Sequence, residues 1–190
     1  MNSDKIIGNR IKEYREMRKI SLGELAQRSD LNPDQLRRIE EGLIPSLGPL
    51  IKVSRALGVR LGTFLDDQEK IGPVVVRAGK ETNTISFSFK DSGSRQHLNF
   101  FSLAHEKAGR HMEPFIVDIE PGKDSDYKLS SHEGEEFMYV LSGTIEINYG
   151  KEVYTLEKGD SIYLDSIVVH NVHAGNNQPA RILAVVYAPY

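Results

Sequence analysis

Histidine, glutamate and arginine carry the chemistry open to this chain, because its 190 residues include no cysteine. Thiolate metal sites and disulfides are therefore excluded. His132 and Glu136 stand four apart in a stretch of alternating pattern, Glu136-Phe137-Met138-Tyr139-Val140. On an extended chain residues of equal parity share a face, so the imidazole and the carboxylate project together. Such a pair can be satisfied by its own hydrogen bond, or it can supply nitrogen and oxygen donors to a divalent cation. Met138 and Val140 share that face and are expected in the core or in a pocket lining. His173 and His97 are isolated in sequence and are read as structural or exposed. At the other end of the chain, Arg37 and Arg38 are adjacent and follow Gln35.

Two kinds of element position these groups. From Asp4 to Leu65 apolar residues recur at helical spacing, as Ile7, Ile11 and Tyr14, then Leu22, Leu25 and Ala26, then Leu36 and Ile39, then Leu50, Val53 and Leu57. Ser21-Leu22-Gly23-Glu24 reads as a capping box. Asn32-Pro33 supplies an N-cap with proline at the first helical position. Gly42 and Gly58 sit where left-handed helix ends are expected. This punctuation predicts four or five short helices, the second near Leu22–Ser29 and the third near Pro33–Glu41. After the polar stretch 66–73 the period becomes two. The runs Thr84–Phe89, Phe115–Ile119, Phe137–Leu141, Thr144–Tyr149, Glu152–Leu156, Ser161–Leu164 and Arg181–Tyr187 alternate with Gly-containing turns, which predicts an antiparallel barrel or sandwich.

The net charge of −3 divides into +3 over residues 1–66 and −6 over residues 67–190. Lys and Arg in excess suit the helical end to phosphate. No apolar run reaches the ~18 residues of a membrane span. No secretory signal is visible at the N-terminus, so a cytoplasmic, membrane-free protein is expected.

Ile20-Ser21-Leu22-Gly23-Glu24-Leu25-Ala26-Gln27, Leu36-Arg37-Arg38-Ile39-Glu40-Glu41-Gly42 and Ser54-Arg55-Ala56-Leu57-Gly58-Val59 resemble the phage-repressor, or Xre, type of helix-turn-helix. The resemblance covers residues 6–65. It implies that the third helix reads bases in the major groove, which by position assigns Asn32, Asp34, Gln35, Arg37 and Arg38 to DNA. Ser21, Gln27 and Arg10 are then candidates for phosphate contacts. It also implies a homodimer on double-stranded operator DNA, with half-sites about one turn apart.

His132 to Gly143 resembles the first cupin motif, and Gly159-Asp160 to His170 the second. The resemblance brings His170 to the face of His132 and Glu136. The result is a two-histidine, one-carboxylate set suited to one divalent ion, iron, zinc, nickel or manganese. Ser130 stands in place of the motif's first histidine, and Asp165 and Ile167 replace its usual proline and glycine, so a three-ligand site is expected rather than a four-ligand one. His132, Glu136, His170 and Met138 are assigned to a ligand pocket.

The expected architecture is thus multidomain α and β. An all-α helix-turn-helix bundle spans 1–66, a linker 67–80, and an all-β cupin (double-stranded β-helix, jelly-roll) barrel 81–190. The implied function is a sequence-specific transcriptional regulator, not an enzyme, whose barrel senses a small-molecule effector. The alternative is a mononuclear non-haem iron oxygenase of the hydroxypropylphosphonate epoxidase type. Its motifs are similar at Glu113 to Asp118 and at His132 to Gly143, and Lys19 matches a basic residue that reaches its active site. The tyrosines that help hold the phosphonate there are replaced by Leu98 and Phe100.

Overall fold

The computed structural model describes residues 3–44, 46–65, 72–88, 97–122 and 129–189. Among the described residues five helices come first: α1 (Ser3–Met17), α2 (Leu22–Arg28), α3 (Pro33–Glu40), α4 (Leu47–Ala56) and the single turn α5 (Gly62–Leu65). The predicted boundaries of the second and third helices hold to one residue. Ser21 Oγ accepts the Glu24 backbone N–H at 3.1 Å, but the Glu24 carboxylate pairs with Arg28 at 2.6 Å, so only half of the predicted capping box is seen. Asn32 Oδ1 accepts from the N–H groups of Asp34 and Gln35, and this fixes the start of α3. Gly42 and Gly58 take positive φ, +89° and +62°, as the helix-end reading requires.

Ile7, Ile11, Leu25, Leu36, Ile39, Leu50 and Val53 form one core beneath these helices. Gly8 lets α1 lie directly on the end of α3, because a Cβ there would come within 2.5 Å of the Ile39 carbonyl oxygen. Beside this contact Arg15 grips Glu40 with two nitrogens, at 2.6 and 2.9 Å. A bidentate charge-assisted pair of that kind sets the angle between the two helices as well as joining them.

Nine antiparallel strands follow among the described residues: β1 (Thr82–Ser88), β2 (His97–Ser102), β3 (Met112–Ile119), β4 (Glu135–Ser142), β5 (Thr144–Tyr149), β6 (Glu152–Glu157), β7 (Ser161–Asp165), β8 (His170–Ala174) and β9 (Ala180–Tyr187). They make a six-stranded sheet of order β1-β2-β3-β9-β4-β7 and a three-stranded sheet of order β6-β5-β8. Ile85, Phe115, Val117, Val140, Ile145, Ile147, Ile182 and Val186 fill the space enclosed by the sheets. The seven predicted strands are present, and β2 and β8 are added. The sequence of β8, His-Asn-Val-His-Ala, buries polar side chains at three of its five positions, His170, Asn171 and His173, so hydrophobic alternation could not reveal it.

Two polar seams among the described residues join the helical head to the sheets, beside the packing of α1 against β1. Arg60 Nη1 donates to the Arg110 carbonyl at 3.2 Å. Arg110 is itself buried in an ion pair with Glu113 at 2.7 Å. Gly62 is the backbone that fits against this pair, since a Cβ would stand 2.7 Å from Arg110 Nη2. In the second seam, Arg55 on α4 pairs with Glu133, next to the predicted site.

Candidate metal centre and nucleic-acid interface

Glu136 projects inward from β4, and His170 opens β8 in the other sheet, so the candidate centre bridges the two sheets. His132 reaches it from the segment before β4. That segment is held by the 166–170 loop: His132 N–H donates to Ser166 O at 3.0 Å, Ser166 N–H to Gly134 O at 3.0 Å, and Ser130 and His170 exchange two 2.9 Å bonds. Gly134 makes the turn at φ +115°, where a Cβ would stand 2.0 Å from the Tyr187 carbonyl oxygen. Gly134→Ala is therefore expected to lower the melting temperature and to weaken metal retention together, at a cost of ~2 kcal/mol or more. Differential scanning fluorimetry with metal analysis on the same sample measures both.

The three ligand-type atoms lie within 4.8 Å of one another, and all three residues are buried. His132 Nε2 is 2.9 Å and His170 Nε2 3.4 Å from the same carboxylate oxygen, Glu136 Oε1. The two rings meet edge to face at 5.5 Å. His132 Nδ1 lies 3.1 Å from the Glu133 carbonyl and His170 Nδ1 2.8 Å from the Val168 carbonyl. A carbonyl only accepts, so both Nδ1 atoms carry the proton. Each Nε2 then faces an anionic oxygen with a lone pair unless something positive stands between them. Two protonated imidazoles or one divalent cation meet that need. Second-shell carbonyls that fix ring tautomers are the usual support of histidine metal ligands. The donor set thus fits a divalent ion, held by His132, Glu136 and His170 with positions left for a ligand.

The electrostatics of the metal-free protein follow the same geometry. Burial pushes the Glu136 carboxyl up, but hydrogen bonds from His132 and His170 outweigh it and hold it at about 2. Burial pushes His170 down, and the Glu136 hydrogen bond and charge raise it above its ordinary value. Ser166, fully buried, donates a hydrogen bond from its hydroxyl to Glu136 Oε1 at 3.2 Å. His173 stands apart, buried against Glu146 and Asn171, both at 3.3 Å, in the structural role expected of it. The side chain of His97 lies outside the described residues.

A cavity of about 90 Å³ opens from the triad into the six-stranded sheet. Its walls are mostly apolar and include Leu98, Phe100, Val117, Met138 and Ile182. Ser46, Leu47 and Gly48, the first turn of α4, form another wall. A Cβ on Gly48 would lie 3.4 Å from the His132 ring and from Ser130. Sequence reasoning missed this contribution, since nothing local in Ser-Leu-Gly distinguishes a pocket wall from a helix start. Lys19 is exposed in the turn after α1, at φ +55°, and does not line the cavity.

On the head, α3 buries Leu36, Ile39 and Glu40 and exposes Asn32, Asp34, Arg37 and Arg38, with Gln35 half-buried. Arg37 Nη1 is held by Asp34 Oδ1 at 2.5 Å. This pairing, one turn apart on the exposed side of α3, gives the acidic residue among the basic ones a partner. Ser21 and Gln27 are exposed on α2 and its cap. Arg10 is half-buried, and its guanidinium donates to the Phe64 carbonyl at 3.0 Å, joining α1 to α5.

These features define a two-part protein, a DNA-binding type of helical head on a β-sheet pocket with a metal-type triad. Residues 11–64 match the helix-turn-helix family and residues 115–186 the cupin domain family, and the chain is a helix-turn-helix protein with a C-terminal cupin domain. Among curated proteins it is similar to the HTH-type transcriptional regulator PuuR of Escherichia coli, 23% identical over 95% of this chain and 92% of that one. It is also similar to the (S)-2-hydroxypropylphosphonic acid epoxidase of Streptomyces wedmorensis, 26% identical over 92% of each. Among solved structures, an HTH_3 family transcriptional regulator from Vibrio cholerae shares the fold, with a TM-score of 0.63 at 22% identity over 98% of this chain and 97% of that one. No described helix is long and apolar enough to cross a membrane.

Proposed function

We propose that this protein is a transcriptional regulator that binds double-stranded operator DNA through α3 and answers to a small effector held in the cupin cavity. The observation that carries the reading is the α3 surface: a capped helix whose outward face offers Asn32, Gln35, Arg37 and Arg38 while its inward face is locked to α1. Arginine reads guanine or phosphate, and glutamine or asparagine reads adenine, in that docking geometry. Ser21 and Gln27 lie at the start and on the exposed side of α2, where contacts position the domain on the backbone. Two heads on a homodimer would meet half-sites about one helical turn apart. Action on DNA supports a cytoplasmic location.

The effector site is linked to the head because the first turn of α4 is a wall of the cavity and Arg55 of α4 pairs with Glu133. The Glu133 carbonyl also orients the His132 ring. A ligand or one divalent ion (iron, zinc, nickel or manganese) that binds one arrangement of these contacts better than another would shift the head accordingly. Selection of bound genomic fragments by the purified protein, with metal content measured on the same sample, tests the reading. Enrichment of a palindromic site is expected. Enrichment of no sequence would sink it.

The triad favours a second reading, an iron-dependent oxygenase, because two histidines and one carboxylate suit iron(II) with open positions. Leu98 and Phe100 in the cavity wall offer a phosphonate no hydrogen bond, which weighs against the epoxidase substrate. Oxygen uptake by iron-loaded protein, abolished by His132→Ala, would bring this reading forward.

A further inference from the structure

The cavity beside the triad has two unlike ends. One is polar. Ser46 and Ser130 line it together with His132, Glu136 and His170, and Gly48 closes it, since a Cβ there would lie 3.4 Å from Ser130 Cβ and from the His132 ring. Ser46 stands at the N-cap of α4, yet its hydroxyl makes no capping bond. Ser130 is fixed beside the triad by its two backbone bonds with His170, and its hydroxyl has no hydrogen-bond partner among the described residues. The other end is hydrocarbon. Leu98, Phe100, Val117, Ile119, Ile182 and Val186 wall it from β2, β3 and β9, and all but Leu98 are buried.

This lining excludes several kinds of ligand. Among the described residues no lysine or arginine faces the cavity. A second anionic group on a ligand would lie there without a counter-charge, and a buried unpaired charge is costly. An ammonium group fares no better. Glu136 is the one carboxylate in the described lining, and its Oε1 already faces both Nε2 atoms and the Ser166 hydroxyl.

The charge of the centre selects the head group. Glu136 brings −1 and a divalent ion +2, and both imidazoles are neutral with the proton on Nδ1, so the loaded centre carries +1 within apolar walls. One carboxylate makes it neutral, as a buried charged set requires. Taking the cavity as the effector site, as the regulator reading does, we infer that its ligand is a short-chain aliphatic monocarboxylate. The carboxylate sits at the triad, where the Ser46 and Ser130 hydroxyls donate to it, and the tail lies against Phe100, Val117 and Ile182. At about 90 Å³ the cavity is smaller than the ~150 Å³ that takes a benzene ring, which limits the tail to roughly three to five carbons.

Titration calorimetry of the full chain in manganese-containing buffer tests this, with acetate, butyrate, pentanoate and octanoate as ligands and glutarate and pentylamine as controls. Affinity should rise about fourfold for each carbon added from acetate to pentanoate. It should fall at octanoate, which overfills the space. Glutarate and pentylamine should bind about 100-fold more weakly than pentanoate. Ser130→Ala should weaken all the acids alike, by about tenfold, and keep the step per carbon. Equal affinities along the series, glutarate or pentylamine as tight as pentanoate, or no acid bound would each overturn the ligand class. The series on the parent decides the matter even if Ser130→Ala does not fold. Operator affinity measured on the same samples separates the two readings. Acids that bind in the expected series without changing operator affinity keep the ligand class and count against the cavity as effector site. Operator selection by a protein that binds none of the acids overturns the ligand class and leaves the regulator intact.

Discussion

Arg37→Ala and Arg38→Ala are each expected to weaken operator binding by ~1–3 kcal/mol, roughly 5- to 150-fold, while leaving the fold in place. Both side chains are exposed on α3. The Arg37–Asp34 pair joins groups that are 57% and 78% exposed, and ion pairs in that setting add little to stability. Thermal melts of both variants should therefore match the parent, which separates lost contact from lost folding. Fluorescence anisotropy against the selected operator and against scrambled DNA tells the two roles apart. A base-reading arginine relaxes specificity at one position, whereas a phosphate-contacting one weakens all sequences alike and reduces the salt slope by about one. Parent-like binding by both variants would show that another surface reads the DNA.

Glu136→Ala should abolish stoichiometric divalent-metal binding. Losing a second-shell partner already costs ~10- to 100-fold in affinity, and Glu136 would supply the one anionic ligand, so a larger loss is expected. The carboxylate also organises the metal-free centre, because both imidazoles point their Nε2 atoms at Glu136 Oε1. Removing one partner of a buried charged set typically costs ~3–5 kcal/mol, so the chelated variant should melt below the chelated parent. Titration calorimetry with manganese, iron, nickel or zinc, and elemental analysis of purified protein, give the first result. Scanning calorimetry in chelator gives the second. A variant that keeps one metal per chain would place the ion elsewhere. A parent that binds none under any metal would leave the triad as a proton-sharing pocket wall.

Much of the head was legible in the sequence because its determinants are local. Ser21, Asn32, Pro33, Gly42 and Gly58 act within one turn of their own position, and their caps and left-handed ends appear where those residue types require them. Arg10 was harder to read. Its charge suits phosphate, and only the approach of α1 to α5 decides that it also meets the Phe64 carbonyl.

The sequence by itself determined that Glu136, Met138 and Val140 share the inward face of β4, since alternation on an extended strand leaves no other choice. The Gly134 turn at φ +115° stands between Glu136 and His132, and only the tertiary structure brings that ring to the carboxylate. It also determined the change of period that separates head from sheets. Tertiary structure decided the rest of the centre. His170 comes from the other sheet through the Ser130 bridge, on a strand too polar to show alternation. The cavity's closing wall comes from Ser46 to Gly48, more than 80 residues before His132. These depend on contacts between distant segments, whose energy is set by packing, whereas caps and parity are set by the backbone within a few residues.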